Sequence, residues 1–263
     1  MRHPPPDPRN PQHLPHLFTH TVDTLAVQCV RSADTDRPTW AVYQLHRYLG
    51  TLQARPDSVW YVQATRELHS SFDNAIRALR RPPTWPRDRA HAVEWAHHTL
   101  GNPNLRIINI QTTGLHNPRA LQIAISSSTR ILFNQLINPQ HPIEPAATRL
   151  HHHTHQTTRH APTFSDVLPL LTDALQGRHC VAYNLPFVRH VLHAELKHHR
   201  TTSPITKWPT AASWADAIPP ISQWAGFWSA RQLDYQRQRL HSPHEAASKC
   251  QTLLHTLHAL TNN

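Results

Sequence analysis

Cysteine and glycine are both scarce in this chain: three cysteines and five glycines in 263 residues, against 24 prolines. Cys29, Cys180 and Cys250 are odd in number, widely spaced and form no C-x-x-C pair, which excludes a disulfide framework and makes a reducing cytoplasm the expected setting. No apolar run approaches 18 residues and no basic-apolar segment opens the chain, so neither membrane insertion nor secretion is expected. Carboxylates are also few, 16 against 26 Lys and Arg. At this length the chain can bury a full core without disulfides or structural metal, as one large domain or two small ones.

The resulting surplus of +10 is uneven. From Leu105 onward 14 basic side chains face 7 acids, a net +7, whereas residues 1–104 carry +3. Positive charge so placed favours a polyanion such as nucleic acid, through phosphate contacts and counterion release, with solubility alone as the plain alternative. The 25 histidines hold a further positive reserve below roughly pH 6.5.

Six of the prolines lie in the first fifteen residues, and Met1 to Pro15 reads as a disordered arm. Residues 16–100 read as a small all-helical N-terminal region. Phe18 to Arg31, Pro38 to Gln53 (Trp40, Val42, Tyr43, Leu45, Leu49) and Pro56 to Arg81 (Val59, Val62, Leu68, Phe72, Ile76, Leu79) are its expected helices. Arg80 to Asp88 is a proline-broken linker, and a short helix from Arg89 to Leu100 follows. From Leu105 the signals become β. Leu105 to Gln111 is expected as a buried central strand, Thr112 to Pro118 as a turn, and Ala120 to Ser127 with Arg130 to Asn138 as paired strands. A helix over Pro162 to Leu175 closed by Gly177, a strand over Cys180 to Asn184, a helix through His199 and a last helix from His244 to Leu260 complete the order.

Several motifs stand in that second part. Asn109-Ile-Gln-Thr-Thr-Gly114, Val181-Ala-Tyr-Asn-Leu-Pro-Phe-Val188 and His244 with Lys249 five residues on occur in this order. Between them lie Asn138-Pro-x-x-Pro-Ile143, Ala147-Thr-x-Leu-His151 with Thr154, and Ala161-Pro-Thr-Phe164, and Trp214-Ala-Asp216 and Trp224-Ala-Gly226 follow. In order and spacing these resemble the DnaQ-like DEDDh 3′-5′ exonuclease family over roughly residues 105–260. The resemblance implies an α/β, RNase H-like fold, a mixed sheet flanked by helices. In that family the motifs read Asp-x-Glu-Thr-Thr-Gly, Asn-x-x-Phe-Asp, and His followed five residues later by Asp. Here the four acids correspond to Asn109, Gln111, Val188 and Lys249.

This pattern restricts the chemistry. Family members hydrolyse phosphodiesters with Mg or Mn, and two such hard cations need anionic oxygen ligands. Neutral amides, a valine and an ammonium do not supply them, so no metal and no cofactor is expected. Two of the four replacements are far from isosteric, which reads as natural divergence rather than a silenced enzyme. His244, the general base of an active relative, then has no metal-activated water to deprotonate and reads foremost as a retained helix-start residue. Lys249 is either a phosphate contact where metal charge once sat or a surface partner of Glu245, four residues earlier on the helix. Of the remaining acids, Glu144, Asp166, Asp173, Glu195, Asp216, Asp234 and Glu245, none stands at a motif ligand position. The run His151-His152-His153 with His155 suggests zinc, but adjacent side chains seldom converge on one ion, and the family pattern accounts for His151. Tryptophans such as Trp208, Trp214, Trp224 and Trp228 are base-stacking candidates, although core packing is the commoner use.

The reading is a catalytically inactive exonuclease homologue that binds nucleic acid, single strands or ends, as a non-catalytic subunit. Thr112, Thr113, Asn184, Phe187, His244 and Lys249 are its expected contacts. One alternative is a protein-interaction scaffold in a replication, repair or mobile-element defence complex, with a partner on residues 16–100. The other is an active 3′-5′ exonuclease with a rebuilt metal site.

Overall fold

Along Phe18, Val22, Val27 and Cys29 the chain buries one face of two consecutive extended segments, and that alternation sets the architecture of the N-terminal part. A computed structural model describes residues 6–33, 35–45, 47–199, 213–229 and 232–262; Trp208 lies outside them. The chain divides into two compact units, Met1–Arg89 with Ala225–Gln236, and Ala90–Trp224 with Arg237–Asn263.

The first unit is not helical. Its strands are β1 (Leu17–Val22), β2 (Leu25–Arg31), β3 (Thr39–Gln44), β4 (Arg47–Ala54), β5 (Trp60–Val62) and β6 (Glu67–His69), an antiparallel meander in sequence order. One helix, α1 (Phe72–Leu79), covers the apolar face, with Ser71 as its N-cap accepting from the Asn74 amide. Trp40, Trp60 and Phe72 fill that core together with Leu14, which is buried.

The helical expectation for residues 18–31 fails for a definable reason. Phe18, Val22, Leu25 and Cys29 are spaced i, i+4, i+7 and i+11, which fits a helix stripe as well as it fits two strands. The turn that decides between them is Asp23-Thr24, which joins Val22 to its partner Leu25 with φ of 55° and 66°. Two positive φ values make the twisted two-residue hairpin turn, but the usual glycine signal is absent. Likewise Pro56–Ser58 forms a single 3-10 turn rather than a helix start, with Asp57 at φ 60°.

In the second unit the expected elements fall close to their expected bounds. Helix α2 (Trp85–Leu100) leads to β7 (Leu105–Thr112), β8 (Ala120–Ser126) and β9 (Ile131–Leu136). Two short helices, α3 (Pro145–His151) and α4 (His155–Thr158), precede α5 (Phe164–Leu175). Then come β10 (His179–Ala182), α6 (Leu185–His198), β11 (Ser213–Asp216), α7 (Ile218–Ala225) and, after the short hairpin β12 (Trp228–Ser229) and β13 (Asp234–Tyr235) of the first unit, α8 (Ala246–Thr261). The sheet order is β11-β10-β7-β8-β9, with β10 parallel to β7 and β11 and the rest antiparallel.

Both faces of this mixed sheet are covered. Ile108, Ile110, Ile123 and Ile125 pack with Phe164, Leu168 and Leu171 of α5 and Val188, Val191 and Leu192 of α6. Leu105, Ile107, Ala124 and Val181 pack with Ala96 of α2, Ile221 of α7 and Cys250, Leu253 and Leu257 of α8. Each such aliphatic side chain contributes roughly 1.5–3 kcal/mol on full burial, which accounts for β7 being central. The cysteines are free and buried, and burial pushes each thiol up to about 12. No helix among the described residues is long and apolar enough to cross a membrane.

Candidate nucleic-acid site

Side chains alternate along β7, so Asn109 and Gln111 share the face of Leu105 and Ile107, the face on which α8 packs. Gln111 is 4% exposed, and neither its Oε1 nor its Nε2 has a hydrogen-bond partner among the described residues; the same holds for Asn109 Oδ1. Such unmade bonds cost about 1–3 kcal/mol each, so the amides are not explained by packing.

Gln111 forms the floor of a cleft of about 290 Å³. Thr112, Phe187 and Lys249 also line it, so four of the residues expected from the sequence do meet. Leu115, Leu150 and Ala147 make its walls, with Glu144 at one side. The Glu144 carboxylate lies over Gly114, where a Cβ would stand 2.0 Å from its Cδ, and accepts from the His116 amide at 3.3 Å. Glycine is needed there because only its bare Cα leaves room for Glu144.

The other expected residues are placed differently. Val188 is 2% exposed and points into the α5–α6 core. Thr113 is 1% exposed; its Oγ1 accepts from the Arg119 amide at 3.0 Å and holds the turn after β7. Asn184 caps α6 in the left-handed region, φ 70°, with its amide donating to Asp216 Oδ1 at 3.2 Å. His244 is exposed before α8, edge-on to His152 at 6.1 Å.

Lys249 sits one turn into α8 and is partly buried. Burial alone lowers its pKa, and no ion pair among the described residues joins it to Glu245. Glu245 instead accepts from Asn134 Nδ2 at 3.1 Å, so the surface-pair account of Lys249 does not hold. The helix start is fixed by a residue the motif reading missed: Gln122, opposite Gln111 on β8, accepts the Ala246 amide at 3.2 Å through its buried Oε1. A lone glutamine inside an apolar strand was the available signal.

His151, to which the motifs gave no site role, also lines the cleft. Its Nδ1 accepts the His153 amide at 3.1 Å, so Nε2 carries the proton and donates to the Thr112 carbonyl at 3.2 Å. Burial, then the neighbouring His153, lower its pKa, and the Lys249 ammonium pushes the same way. His151 is therefore a neutral strut between α3 and the end of β7. His152 is exposed while His151 is buried, and among the described residues no group of three His, Cys, Asp or Glu side chains is arranged to hold a metal ion.

A family model described as exonuclease matches residues 106–253. Among solved structures, exonuclease X in complex with 5′ overhanging duplex DNA is 24% identical, with a TM-score of 0.40, covering 60% of this chain and 91% of its own. A 3′-exonuclease solved with a histone mRNA stem-loop is 13% identical (TM-score 0.43; 60% of this chain, 64% of its own). Cell-death related nuclease 4 is 14% identical (TM-score 0.41; 60% and 63%). The chain thus spans less than two thirds of the length of the latter two. Comparison with curated proteins gives no match.

Proposed function

The chain belongs to the exonuclease family, and on that premise we propose that it is a non-catalytic member that holds single strands or ends of nucleic acid in the cleft over Gln111. The observation that carries the reading is Lys249. A partly buried ammonium without a carboxylate partner among the described residues is costly unless an anion comes to it, and a backbone phosphate is such an anion. Phe187 offers an aromatic surface beside it, and Thr112 and Gln111 offer neutral polar groups to a sugar or base.

The residues do not fit the pair of magnesium or manganese ions used in the family. Asn109 and Gln111 present neutral amides, Val188 is turned into the core, and Lys249 brings positive charge to the place where cations would sit. Glu144 is a single carboxylate already engaged by the His116 amide, too little anionic oxygen for two hard cations. Hydrolysis through such ions is therefore not part of this reading.

The test is incubation of the purified chain with a 3′-labelled single strand in magnesium or manganese. The strand is expected to be retarded in a gel and to keep its length. Progressive shortening that stops on adding a chelator would contradict the proposal and support an active enzyme with a rebuilt site. Neither retardation nor shortening would leave the scaffold reading.

A further inference from the structure

The six-stranded sheet of the first unit has α1 on one face only, and its other face has an unusual composition. The residues opposite the core positions are Leu17, Thr19 and Thr21 on β1, Ala26, Gln28 and Val30 on β2, Thr39, Ala41 and Tyr43 on β3, Tyr48, Thr51 and Gln53 on β4, Tyr61 on β5 and Leu68 on β6. Cross-strand pairing fixes them in rows: Thr19, Gln28, Tyr43 and Tyr48 lie side by side, as do Gln53, Tyr61 and Leu68. Three of the chain's five tyrosines are on this one face, and none belongs to a core cluster.

Their geometry is that of a stacking platform. Tyr43 and Tyr48 are neighbours with ring centroids 5.4 Å apart, and the Tyr48 hydroxyl is hydrogen-bonded to Thr51 Oγ1. The Arg55 guanidinium lies over the Tyr61 ring at 5.0 Å. Charge points the same way. Among the six strands the single carboxylate is Glu67, which stands opposite Val62 on the covered face and is bound by Arg81 at 2.6 Å. The open face therefore holds aromatic rings, amides, hydroxyls and three exposed aliphatic side chains, Leu17, Val30 and Leu68, with Arg55 just past the end of β4, and none of its strand residues is an acid.

We propose that this face is a second binding surface for single-stranded nucleic acid, separate from the cleft of the exonuclease-type unit, with Tyr43, Tyr48 and Tyr61 stacking bases of one strand and Arg55 meeting the backbone. Tyr43 and Tyr48 stand one strand apart, and Tyr61, opposite Gln53, lies further along β4; flat rings laid out on a sheet suit unpaired bases, whose faces are free, and not a duplex, whose bases are stacked on one another. Amide and hydroxyl side chains between the rings can bond base edges. The exposed aliphatic side chains of this face, Leu17, Val30 and Leu68, lie on β1, β2 and β6, whereas the central strands β3 and β4 present Tyr43, Tyr48, Thr51 and Gln53 with Ala41, where a protein partner would be expected to meet larger aliphatic side chains.

The experiment is photo-crosslinking of the full chain to a short oligothymidylate carrying 5-bromodeoxyuridine, and to its RNA counterpart, with the adducts mapped by mass spectrometry. Adducts on Tyr43, Tyr48 or Tyr61 are expected, and they persist in Lys249→Glu, which separates this surface from the cleft. Tyr61→Ala is expected to weaken oligonucleotide binding about tenfold in that background, and Tyr61→Phe to leave it nearly unchanged, because stacking needs the ring and not the hydroxyl. If an alanine variant unfolds, the wild-type adduct map and the phenylalanine variant still decide. Adducts confined to residues 106–253, or an open face that crosslinks only to a second copy of the chain, would overturn the proposal.

Discussion

The two large sheets of this chain treat polar side chains in opposite ways. In the first unit one face is covered, so a threonine, glutamine or tyrosine on the other face keeps its water and costs nothing. In the second unit helices cover both faces, and a polar side chain on β7 must find a partner inside the protein. Gln122 finds one in the start of α8; among the described residues Gln111 and Asn109 Oδ1 do not, and Gln111 lines the cleft that Lys249 and Phe187 share. Unsatisfied groups on a doubly covered strand are thus informative about function in a way that polar residues on a half-covered sheet are not.

The sharpest way to strain this contrast is Val188→Asp, which puts back the residue type of an active relative. With Val188 2% exposed among aliphatic side chains, an unpaired carboxylate there is expected to cost about 3 kcal/mol or more, read as a fall in the urea midpoint of the second unit. A change below about 1 kcal/mol would mean that the position reaches solvent or a cation. Next in size is Thr24→Gly in the first unit. A β-branched residue at φ 66° is strained, so glycine should stabilise the hairpin by about 1 kcal/mol, and a loss of stability would show that the Thr24 side chain makes a contact of value.

Lys249→Met has a smaller effect with a definite pH signature. Burial lowers the folded-state pKa of Lys249 below its unfolded value, so the unfolded chain binds more protons between the two. Wild-type stability should therefore rise with pH as the folded pKa is passed on the way to the unfolded one. Methionine should remove that rise and, at neutral pH, increase stability by about 1 kcal/mol or less. Parallel pH profiles for the two proteins would argue against a desolvated ammonium. Smallest of all is Thr19→Asp on the open face, expected within about 0.5 kcal/mol of wild type in the same melts, and a large loss would show that the face is covered.

Much of the second unit was legible because several signals agreed. Ile107, Ile108 and Ile110 marked a central strand, and Gly177, with φ 68°, closed the helix expected over Pro162 to Leu175. The motif residues Gln111, Thr112, Phe187 and Lys249 then converged as their order implied. The first unit was misread because its apolar spacing is ambiguous and its turns use Asp23-Thr24, Leu45 and Asp57 in conformations usually left to glycine. A chain with five glycines hides its hairpins. The site itself was only partly readable: burial of Val188 and Thr113, the tautomer of His151 and the reach of Gln122 depend on three-dimensional neighbours that spacing does not reveal.

The central claim is that Lys249 takes a nucleic-acid phosphate in the cleft, and the dependence of single-strand affinity on salt tests it most directly. Wild type and Lys249→Ala, both shown to be folded, are titrated with one labelled strand at several salt concentrations. Loss of one phosphate contact predicts weaker binding and a logarithmic salt slope smaller in magnitude by about 0.7. An unchanged slope and affinity in folded Lys249→Ala would contradict the account.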